Sequence, residues 1–316
     1  MENIEIICIG QALLDCIIKG SSGASVHSSV EMADSITLSP GGDAFNESVI
    51  LSRLGHRVQI MCGLGRDSAG DMVTNTLKEN SVNTEAIVYS GTDPTPVAAL
   101  FVNPDGGRKS VNSPAYNVKF FKPDTSLLKG IKVVSLASLF RAPFTHPDTI
   151  LSICRAAKSA GALVTADTKL AHYGELSLED IKESLPYIDY IFPNETEAKA
   201  YTQKDTYSEM ADVFLNYGVK NVIIKTGAKG CFVKNSRECF SAPAYKLEAR
   251  DTTGAGDNFA AGFISSILQG RTLRDAVEFA TGCSALCVQS IGAVSGVQNR
   301  TQVEEFIKRE RAAKNE

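Results

Sequence analysis

The sequence predicts an α/β fold with a mostly parallel central sheet and a small β-sheet lid. Short β-branched runs alternate with helical patterns over most of the 316 residues, which is typical of parallel strands joined by crossover helices. Two segments interrupt this alternation, at approximately 11–38 and 85–115, with strand and turn patterns but no helix. We expect these segments to pair into a lid on a single domain that spans 1–316.

The individual elements follow from the same patterns in chain order. Strands are predicted at 4–9, 57–62, 131–136, 162–166, 188–192 and 221–225, and helices near 44–54, 67–79, 146–160 and 194–202. After residue 257 apolar residues recur at helical spacing until Gly270 ends the pattern, namely Phe259, Phe263, Ile264, Ile267 and Leu268. The PDGG stretch at 104–107 predicts a hairpin turn in the lid.

Composition argues against several classes of function. The 32 basic and 36 acidic residues give a net charge of −4 without a basic block, so nucleic acid is not an expected partner. No apolar run approaches the roughly 18 residues of a membrane span, and the first ten residues lack a signal-peptide pattern, so we expect a cytoplasmic protein with no membrane partner. The eight cysteines form no CxxC pair and no array with the four scattered histidines, which favours buried free thiols.

The stretch DTTGAGDNFAAGF, at 251–263, carries the strongest chemical signal. Gly254, Ala255 and Gly256 begin the predicted helix, where backbone N–H groups lack intrahelical partners and the dipole is positive, so the stretch predicts a phosphate site. Asp257 lies beside that site. It is either a helix cap or a base that takes the proton from an attacking hydroxyl in phosphoryl transfer.

Two further stretches join a loop to a helix. In SPGGDAFNESVILSRLG, at 39–55, Gly41 and Gly42 allow a ligand to approach the backbone and Asn46 offers a donor and an acceptor to a polyol; a simple structural joint is the alternative. In FPNETEAKAY, Asn194 and Glu197 share a helix face. They either hold the water shell of Mg²⁺ or serve as ordinary partners of the helix dipole.

Six motifs in this order resemble the ribokinase/PfkB family of carbohydrate kinases, which includes fructokinases and ribokinases. They are GQALLD at 10–15, GGDAFN at 41–46, GLGRDSAG at 63–70, NETE at 194–197, KTGAKG at 225–230 and DTTGAGDNFAAGF. The resemblance covers nearly the whole chain and implies a three-layer sandwich. It also implies an ATP-dependent kinase, in which a sugar hydroxyl attacks the γ-phosphate beneath the lid.

The resemblance also implies roles for individual residues. It makes Asp257 the catalytic base, with Gly254, Ala255 and Gly256 as the anion hole, and it places Asn194 and Glu197 near Mg²⁺. Sugar hydroxyls are expected at Asp15, Gly41, Gly42, Asp43 and Asn46, and the nucleotide at Asn194, Thr226, Gly227 and Gly230. A monovalent cation, K⁺ in many family members, is expected near Asp251, Thr253, Ser290, Gly292 and Ser295.

Substrate specificity remains open at this level. Phe140 and Arg141, after the third predicted strand, stand where some sugar kinases place polar substrate-binding residues, and Asp43 resembles the 2-keto-3-deoxygluconate kinase version of its loop. An acidic substrate would need a cation such as Arg141 or Lys169, and a surface position without a binding role is the alternative for both residues. A ketohexose such as fructose, or ribose, is the expected substrate, and a sugar-acid kinase, a nucleoside kinase and a non-catalytic ligand-binding protein are the alternatives.

Other stretches argue against two common nucleotide-binding folds. GLGRDS, at 63–68, lacks the third glycine of a dinucleotide-binding fingerprint, so Asp67 is interpreted as a helix cap, and no P-loop is present. An exposed edge of the lid sheet would allow a homodimer through the lid.

Overall fold

The computed structural model describes residues 4–21, 32–102, 108–113, 120–170 and 176–313. Its strands are β1 (Ile6–Ile9), β2 (Leu13–Lys19), β3 (Ser35–Gly41), β4 (Val58–Met61), β5 (Gly63–Gly65), β6 (Val88–Ser90), β7 (Val97–Val102), β8 (Arg108–Asn112), β9 (Val133–Leu139), β10 (Leu163–Thr168), β11 (Tyr190–Ile191), β12 (Asn221–Lys225), β13 (Cys231–Asn235) and β14 (Cys239–Ala242). Its α-helices are α1 (Asp43–Arg53), α2 (Ser68–Glu79), α3 (Pro147–Ser159), α4 (Glu195–Thr202), α5 (Tyr207–Asn216), α6 (Ala255–Leu268), α7 (Leu273–Val288) and α8 (Arg300–Ala313).

The central sheet has eight strands in the order β14-β13-β12-β11-β10-β9-β1-β4. Strands β12 to β4 in this order are parallel, while β13 and β14 continue one edge as antiparallel strands. The six predicted strands and the helices predicted before residue 203 are all present; the strand at 221–225 has the predicted bounds, and the others have one or both ends shifted by one to three residues. The antiparallel edge and helices α5, α7 and α8 are additional to the elements expected from the sequence.

Helices cover both faces of this sheet, which confirms the three-layer sandwich. Successive side chains of a strand point to opposite faces, and along β1 Ile7 and Ile9 pack in one cluster with α3 and α5, while Ile6 and Cys8 pack in another with α1, α2 and α8. Residues of α6 and α7 complete this second layer. The strands are therefore apolar on both faces, as buried parallel strands require.

The lid is a separate four-stranded sheet in the order β3-β2-β7-β8. Its strand β3 extends beyond the expected boundary at residue 38 and runs directly into α1. Strand β6, which falls within the predicted lid segment, instead pairs with β5 in a two-stranded ribbon. The turn predicted at 104–107 lies outside the described residues.

Local predictions about caps and cysteines can be compared directly. The Asp67 side chain accepts a hydrogen bond from the Gly70 N–H at 2.8 Å, so this residue caps α2 as expected. Six cysteines are buried and free, whereas Cys16 is half-buried and Cys239 is exposed, contrary to the expectation for these two. None of the helices in the described ranges combines the length and the apolar content that a membrane span demands.

The strand order locates the crevice of the fold. The chain runs from β1 to β4 on one side and later returns to β9 on the other side, so the connections diverge at β1. In open α/β sheets, ligands bind at the carboxyl ends of the strands beside such a switch point. The carboxyl ends of β10, β11 and β12 thereby bring three polar residues to one edge of the sheet: Lys169, Asn194 and Lys225.

Candidate active site

A cavity of about 590 Å³ opens at these carboxyl ends. One part of its lining is mostly polar. It comes from the lid strand β2, the start of α1 and the residue after β10: Leu13, Asp15, Gly42, Asp43, Asn46 and Lys169. A second part is largely small or apolar: Gly227, Ala228, Gly230, Ala244, Tyr245, Leu247, Ala249, Ala285 and Val288. Residues 252–257, at the start of α6, also line the cavity.

The start of α6 is shaped by a glycine in the left-handed region. Gly254 has φ +76°, and a Cβ on it would lie 2.6 to 2.8 Å from three atoms of Ala293. Ala255 N–H donates to the Thr252 carbonyl at 3.3 Å, but within the described part of the chain the N–H groups of Gly256 and Asp257 donate to no protein acceptor. Two amides therefore face the cavity with unused hydrogen-bonding capacity at the positive end of the helix dipole.

Asp257 lies beside these amides and is 4% exposed. Its Oδ2 accepts a hydrogen bond from Asn46 Nδ2 at 2.6 Å, and its Oδ1 is 3.6 Å from Lys169 Nζ. Burial raises the pKa of Asp257 to about 6, against the lowering effect of Lys169 and with further raising by Asp43 and Asp167. The carboxylate is thus held in one position with a pKa suited to accepting a proton near neutral pH.

Lys169 lies among three carboxylates. Its Nζ is 3.2 Å from Asp43 Oδ1 and 3.7 Å from Asp167 Oδ2, in addition to the contact with Asp257. Burial opposes the ammonium charge, but the surrounding carboxylates raise the pKa of Lys169 well above its usual value. The residue is therefore a fixed cation of the cavity, which the sequence offered only as an alternative to a surface lysine.

Asp167, at the end of β10, organises a second lysine. It is fully buried, and its Oδ1 accepts a hydrogen bond from Lys225 Nζ at 2.6 Å. Its Oδ2 has no hydrogen-bond partner within the described residues. Lys225 Nζ is 3.0 Å from the position that a Cβ on Gly256 would occupy, so the ammonium group lies against the start of α6.

A further buried acid lies behind Asn46. Glu47 is fully buried, and its Oε2 accepts a hydrogen bond from Ser135 Oγ at 2.6 Å. Burial, together with the nearby Asp167, raises the pKa of Glu47 well above its usual value. Burial therefore favours the protonated, uncharged form of this side chain.

The residues assigned to sugar hydroxyls meet near the lid. Gly41 and Gly42 are closely packed, because a Cβ on the first would lie 2.8 Å from Asp15 Oδ2 and one on the second 2.6 Å from the Gln11 carbonyl oxygen. Ser138 Oγ donates to Asp43 Oδ2 at 2.9 Å. Burial, and to a smaller extent Asp43, raises the pKa of Asp15 to about 6.

Phe140 and Arg141 lie elsewhere. Phe140 is buried and stacks on Tyr201 with ring centroids 4.1 Å apart, and Arg141 Nε donates to the Leu170 carbonyl at 3.0 Å. Neither residue is among those that line the cavity in the described ranges. Their proposed part in substrate binding gains no support from the geometry.

Asn194 and Glu197 form a capping box at the start of α4. Each side chain accepts the backbone N–H of the other residue at 2.9 Å, and Thr168 Oγ1 donates to Glu197 Oε2 at 2.8 Å. Only Asn194 of this pair lines the cavity. No cluster of three or more His, Cys, Asp and Glu side chains that could hold a metal ion occurs in the part of the chain that is described.

The loops that the resemblance assigned to the nucleotide and to a monovalent cation are both stabilised by local hydrogen bonds. After β12 the chain makes a short 3-10 helix, Gly227–Lys229, and Thr226 N–H donates to the Gly230 carbonyl at 2.8 Å. Asp251 Oδ1 accepts hydrogen bonds from Thr253 N and Oγ1 at 3.0 and 2.7 Å, and its Oδ2 accepts one from Gly292 N–H at 3.0 Å. This brings Asp251 to the loop that contains Ser290 and Ser295.

Asn258, in the first turn of α6, was missed in the sequence. Its Nδ2 donates to the Gly254 carbonyl at 2.8 Å and to the Ala293 carbonyl at 2.7 Å, which ties the start of α6 to the loop at 290–296. Asp167 and Lys225 were missed too. Both follow apolar strand runs, and polar residues at the carboxyl ends of parallel strands are the signal that would have found them.

The fold and the cavity together define a phosphotransferase site, with a carboxylate beside free amides and a polar pocket beneath a lid. A family model described as pfkB family carbohydrate kinase matches residues 3–300, and the chain belongs to this family of carbohydrate kinases. The resemblance inferred from the motifs is thereby confirmed.

Related proteins span nearly the whole chain. The probable fructokinase-5 of Arabidopsis thaliana is 26% identical and covers 96% of this chain and 97% of its own length, and the ribokinase of Schizosaccharomyces pombe is 28% identical and covers 95% and 97%. The crystal structure of ribokinase from Thermotoga maritima has a TM-score of 0.83 at 26% identity, covering 96% of this chain and 99% of that one.

Proposed function

We propose that the protein transfers the γ-phosphate of ATP to a primary hydroxyl of a small neutral sugar, a ketohexose such as fructose or a pentose such as ribose. The observation that carries this proposal is the buried Asp257 carboxylate beside the free amides of α6, in a cavity that Asp15 and Asn46 also line. Two proteins of this fold support the choice of ligands. Arabidopsis ribokinase is complexed with ribose and ATP, and an E. coli putative ribokinase II with ATP and Mg²⁺.

In this reaction Asp257 accepts the proton of the sugar hydroxyl as its oxygen attacks the γ-phosphorus. The bond from that phosphorus to the β-phosphate oxygen breaks and ADP leaves. The amides of Gly256 and Asp257 donate to the oxygens of the transferring group, and the conformation of Gly254 keeps them accessible. Asp15 and Asn46 orient the sugar, and the lid excludes water that would otherwise hydrolyse ATP.

The remaining lining suits the nucleotide. Small and apolar residues around Tyr245 and Val288 give the adenine base a surface, and the loop Thr226–Gly230 approaches the phosphates with little side chain in the way. Bound Mg²⁺ would balance phosphate charge, with Asn194 and Glu197 holding its water shell. Asp251 and the loop at 290–296 would hold K⁺ behind the anion hole.

The charge of the polar part favours an uncharged sugar. Asp15, Asp43 and Asp257 all line this part of the cavity, and its one lysine already faces three carboxylates. A carboxylate on the substrate would enter a region where the acidic groups outnumber the basic ones. The sugar-acid alternative is therefore disfavoured, and Lys169 is not an unbalanced cation that could bind such a group.

An ADP-release assay over a substrate panel tests the proposal. The panel contains ketohexoses, aldopentoses, sugar acids, sugar phosphates and nucleosides, each with and without K⁺. We expect the highest kcat/KM with fructose or ribose. A preference for a nucleoside or a sugar acid would replace the substrate class, and the absence of ADP release with every compound would favour a ligand-binding protein without turnover.

The pH dependence of kcat/KM should report the ionisation of Asp257. Because the base must be deprotonated, the rate rises with pH through the pKa of about 6 and then levels off. The groups that act on this carboxylate include Lys169 after β10, Asp167 in β10, Asp43, Asn46 and Glu47 of α1, and Cys287 of α7. Lys169→Met removes the one positive charge among them, so the acidic limb should move upward by about one pH unit.

Lys158→Met is the matched control for this shift. Lys158 is also a partly buried lysine, paired with Asp189, and it lies away from the cavity lining. Its replacement should leave the acidic limb where it is in the wild type. If the acidic limb of Lys169→Met lies at the same pH as the limbs of the wild type and Lys158→Met, then Lys169 does not set the pKa of Asp257.

We also propose that the lid forms a homodimer, through its outer face rather than its edge. Leu13 and Asp15 of β2 face the cavity. The even-numbered residues of β2 therefore face away from it, and their cross-strand neighbours lie on the same outer face. The outer face is mostly apolar, with Cys16, Ile18, Ile36, Leu38, Ala99, Phe101 and Val111, and it also carries Lys109, the cross-strand neighbour of Phe101 on β8. Ile36, Leu38 and Val111 are 67%, 49% and 51% exposed in the single chain, and a second copy of this face would cover them.

Leu38→Glu should convert the dimer to a monomer, because it places a charge in the apolar face. Sedimentation velocity at micromolar concentration measures the change. Leu127→Glu, at a leucine that is 40% exposed outside the lid sheet, should leave the dimer intact. A monomeric wild type, or a dimeric Leu38→Glu variant, would contradict the interface.

A further inference from the structure

The Lys225 side chain is the group near the phosphoryl site that the proposed reaction has not used. Lys225 is the last residue of β12, lines the cavity and has 13% of its side chain exposed. An ammonium group has three protons to donate. Only one acceptor for them, Asp167 Oδ1 at 2.6 Å, occurs in the part of the chain that is described, so two remain for a ligand.

This ammonium group lies close to Gly256, one of the two residues that carry the free amides. Lys225 Nζ lies 3.0 Å from the Cβ position of Gly256, whose N–H is one of the two amides without an acceptor among the described residues. Asp167 Oδ2 is 3.9 Å from the same point. The lysine thus lies against the start of α6, where Asp167 holds its ammonium group.

We propose that Lys225 is a catalytic residue that donates to an oxygen of the phosphoryl group during its transfer, with Asp167 as the positioning residue that holds it there. This inference rests on the proposed kinase function. The lysine keeps its proton throughout, while the sugar oxygen forms its bond to phosphorus, the bond to ADP breaks and Asp257 takes the hydroxyl proton. Its charge acts on the negative charge that develops on the transferring phosphoryl group between ADP and the sugar.

A structural role is the competing explanation, because Lys225 also neutralises a buried carboxylate. Two variants separate the roles. Lys225→Met removes the phosphate contact and leaves Asp167 without its hydrogen-bonded cation, whereas the double variant Lys225→Met/Asp167→Asn also removes the buried charge. A purely structural lysine would allow the double variant to recover both stability and activity.

We expect Lys225→Met to lower kcat by about 100-fold or more, the usual effect of losing one donor to a developing anion, with a smaller change in KM for ATP. The double variant should regain the thermal unfolding midpoint of the wild type but not its kcat. Lys225→Arg should recover part of kcat, because it restores the positive charge. The matched control is Lys234→Met, at a partly buried lysine on β13 that is bonded to Asp212 and Ser208, and it should keep full kcat.

The possible outcomes distinguish failure of this inference from failure of the proposed kinase function on which it rests. A Lys225→Met enzyme with kcat within threefold of the wild type, or a double variant that regains full kcat, would overturn the role of Lys225 while leaving a sugar-dependent kinase in place. A wild type that releases no ADP with any sugar would instead refute the proposed function.

Discussion

Asp257→Asn should lower kcat by about 1,000-fold or more while ATP binding stays close to that of the wild type. Loss of a positioned general base costs about two to four orders of magnitude, and the adjacent anion hole is left in place. Steady-state ADP release measures kcat, and an ATP-induced rise in the unfolding midpoint measures binding.

Stability should not fall with activity in this variant. The folded pKa of Asp257, about 6, exceeds the value of 3.8 expected in the unfolded chain, so at neutral pH the ionised carboxylate opposes folding. A neutral amide removes that penalty, and the unfolding midpoint should stay the same or rise.

Asp71→Asn is the matched control. Asp71 is likewise an acidic residue in the first turn of a helix, α2, but it is exposed and lies away from the cavity lining. Its replacement should leave kcat unchanged. Turnover of Asp257→Asn within tenfold of the wild type would refute the assignment of the base.

Gly254→Ala should damage both stability and activity. Gly254 has φ +76°, a conformation that costs a residue with a Cβ about 1 to 2 kcal/mol, and the new methyl group would overlap Ala293 at 2.6 to 2.8 Å. We expect a loss of about 3 kcal/mol in the free energy of unfolding and at least about a 100-fold loss in kcat, because relief of the overlap displaces the amides of α6.

Gly270→Ala, just after the same helix, tests backbone strain without the steric overlap of a new methyl group. Gly270 follows the end of α6 with φ +71°, yet nothing lies within 4 Å of its Cβ position. This variant should lose only about 1 kcal/mol and keep its kcat. Urea unfolding and ADP release measure both variants, and equal effects at the two glycines would contradict the close packing of Gly254 against the loop at 290–296.

The predictable parts of the site are those encoded by neighbouring residues. The glycine stretch before Asp257 marks a helix start, and the pair Gly41 and Gly42 marks another, because chain geometry and capping are local properties. The alternating strand and helix patterns likewise predicted the parallel sheet and the separate lid.

The charge network of the cavity was not predictable in this way. Asp167 and Lys225 are 58 residues apart and meet only because β10, β11 and β12 are neighbours in the sheet. Periodicity indicates strands but not their order, so the sequence left Lys169 as a surface residue or an anchor for an acidic substrate. The short strands β13 and β14 were missed because each is only four or five residues long and partly polar.

The most direct measurement is a single-turnover experiment with ATP that carries a labelled γ-phosphate. The enzyme, in excess over ATP, is mixed with fructose or ribose and quenched at successive times, and the label is separated into ATP, inorganic phosphate and sugar phosphate. The account predicts that the label moves from ATP to the sugar in the wild type, with little inorganic phosphate, and remains in ATP with Asp257→Asn. Label that appears only as inorganic phosphate, or equal transfer by the two proteins, would contradict it.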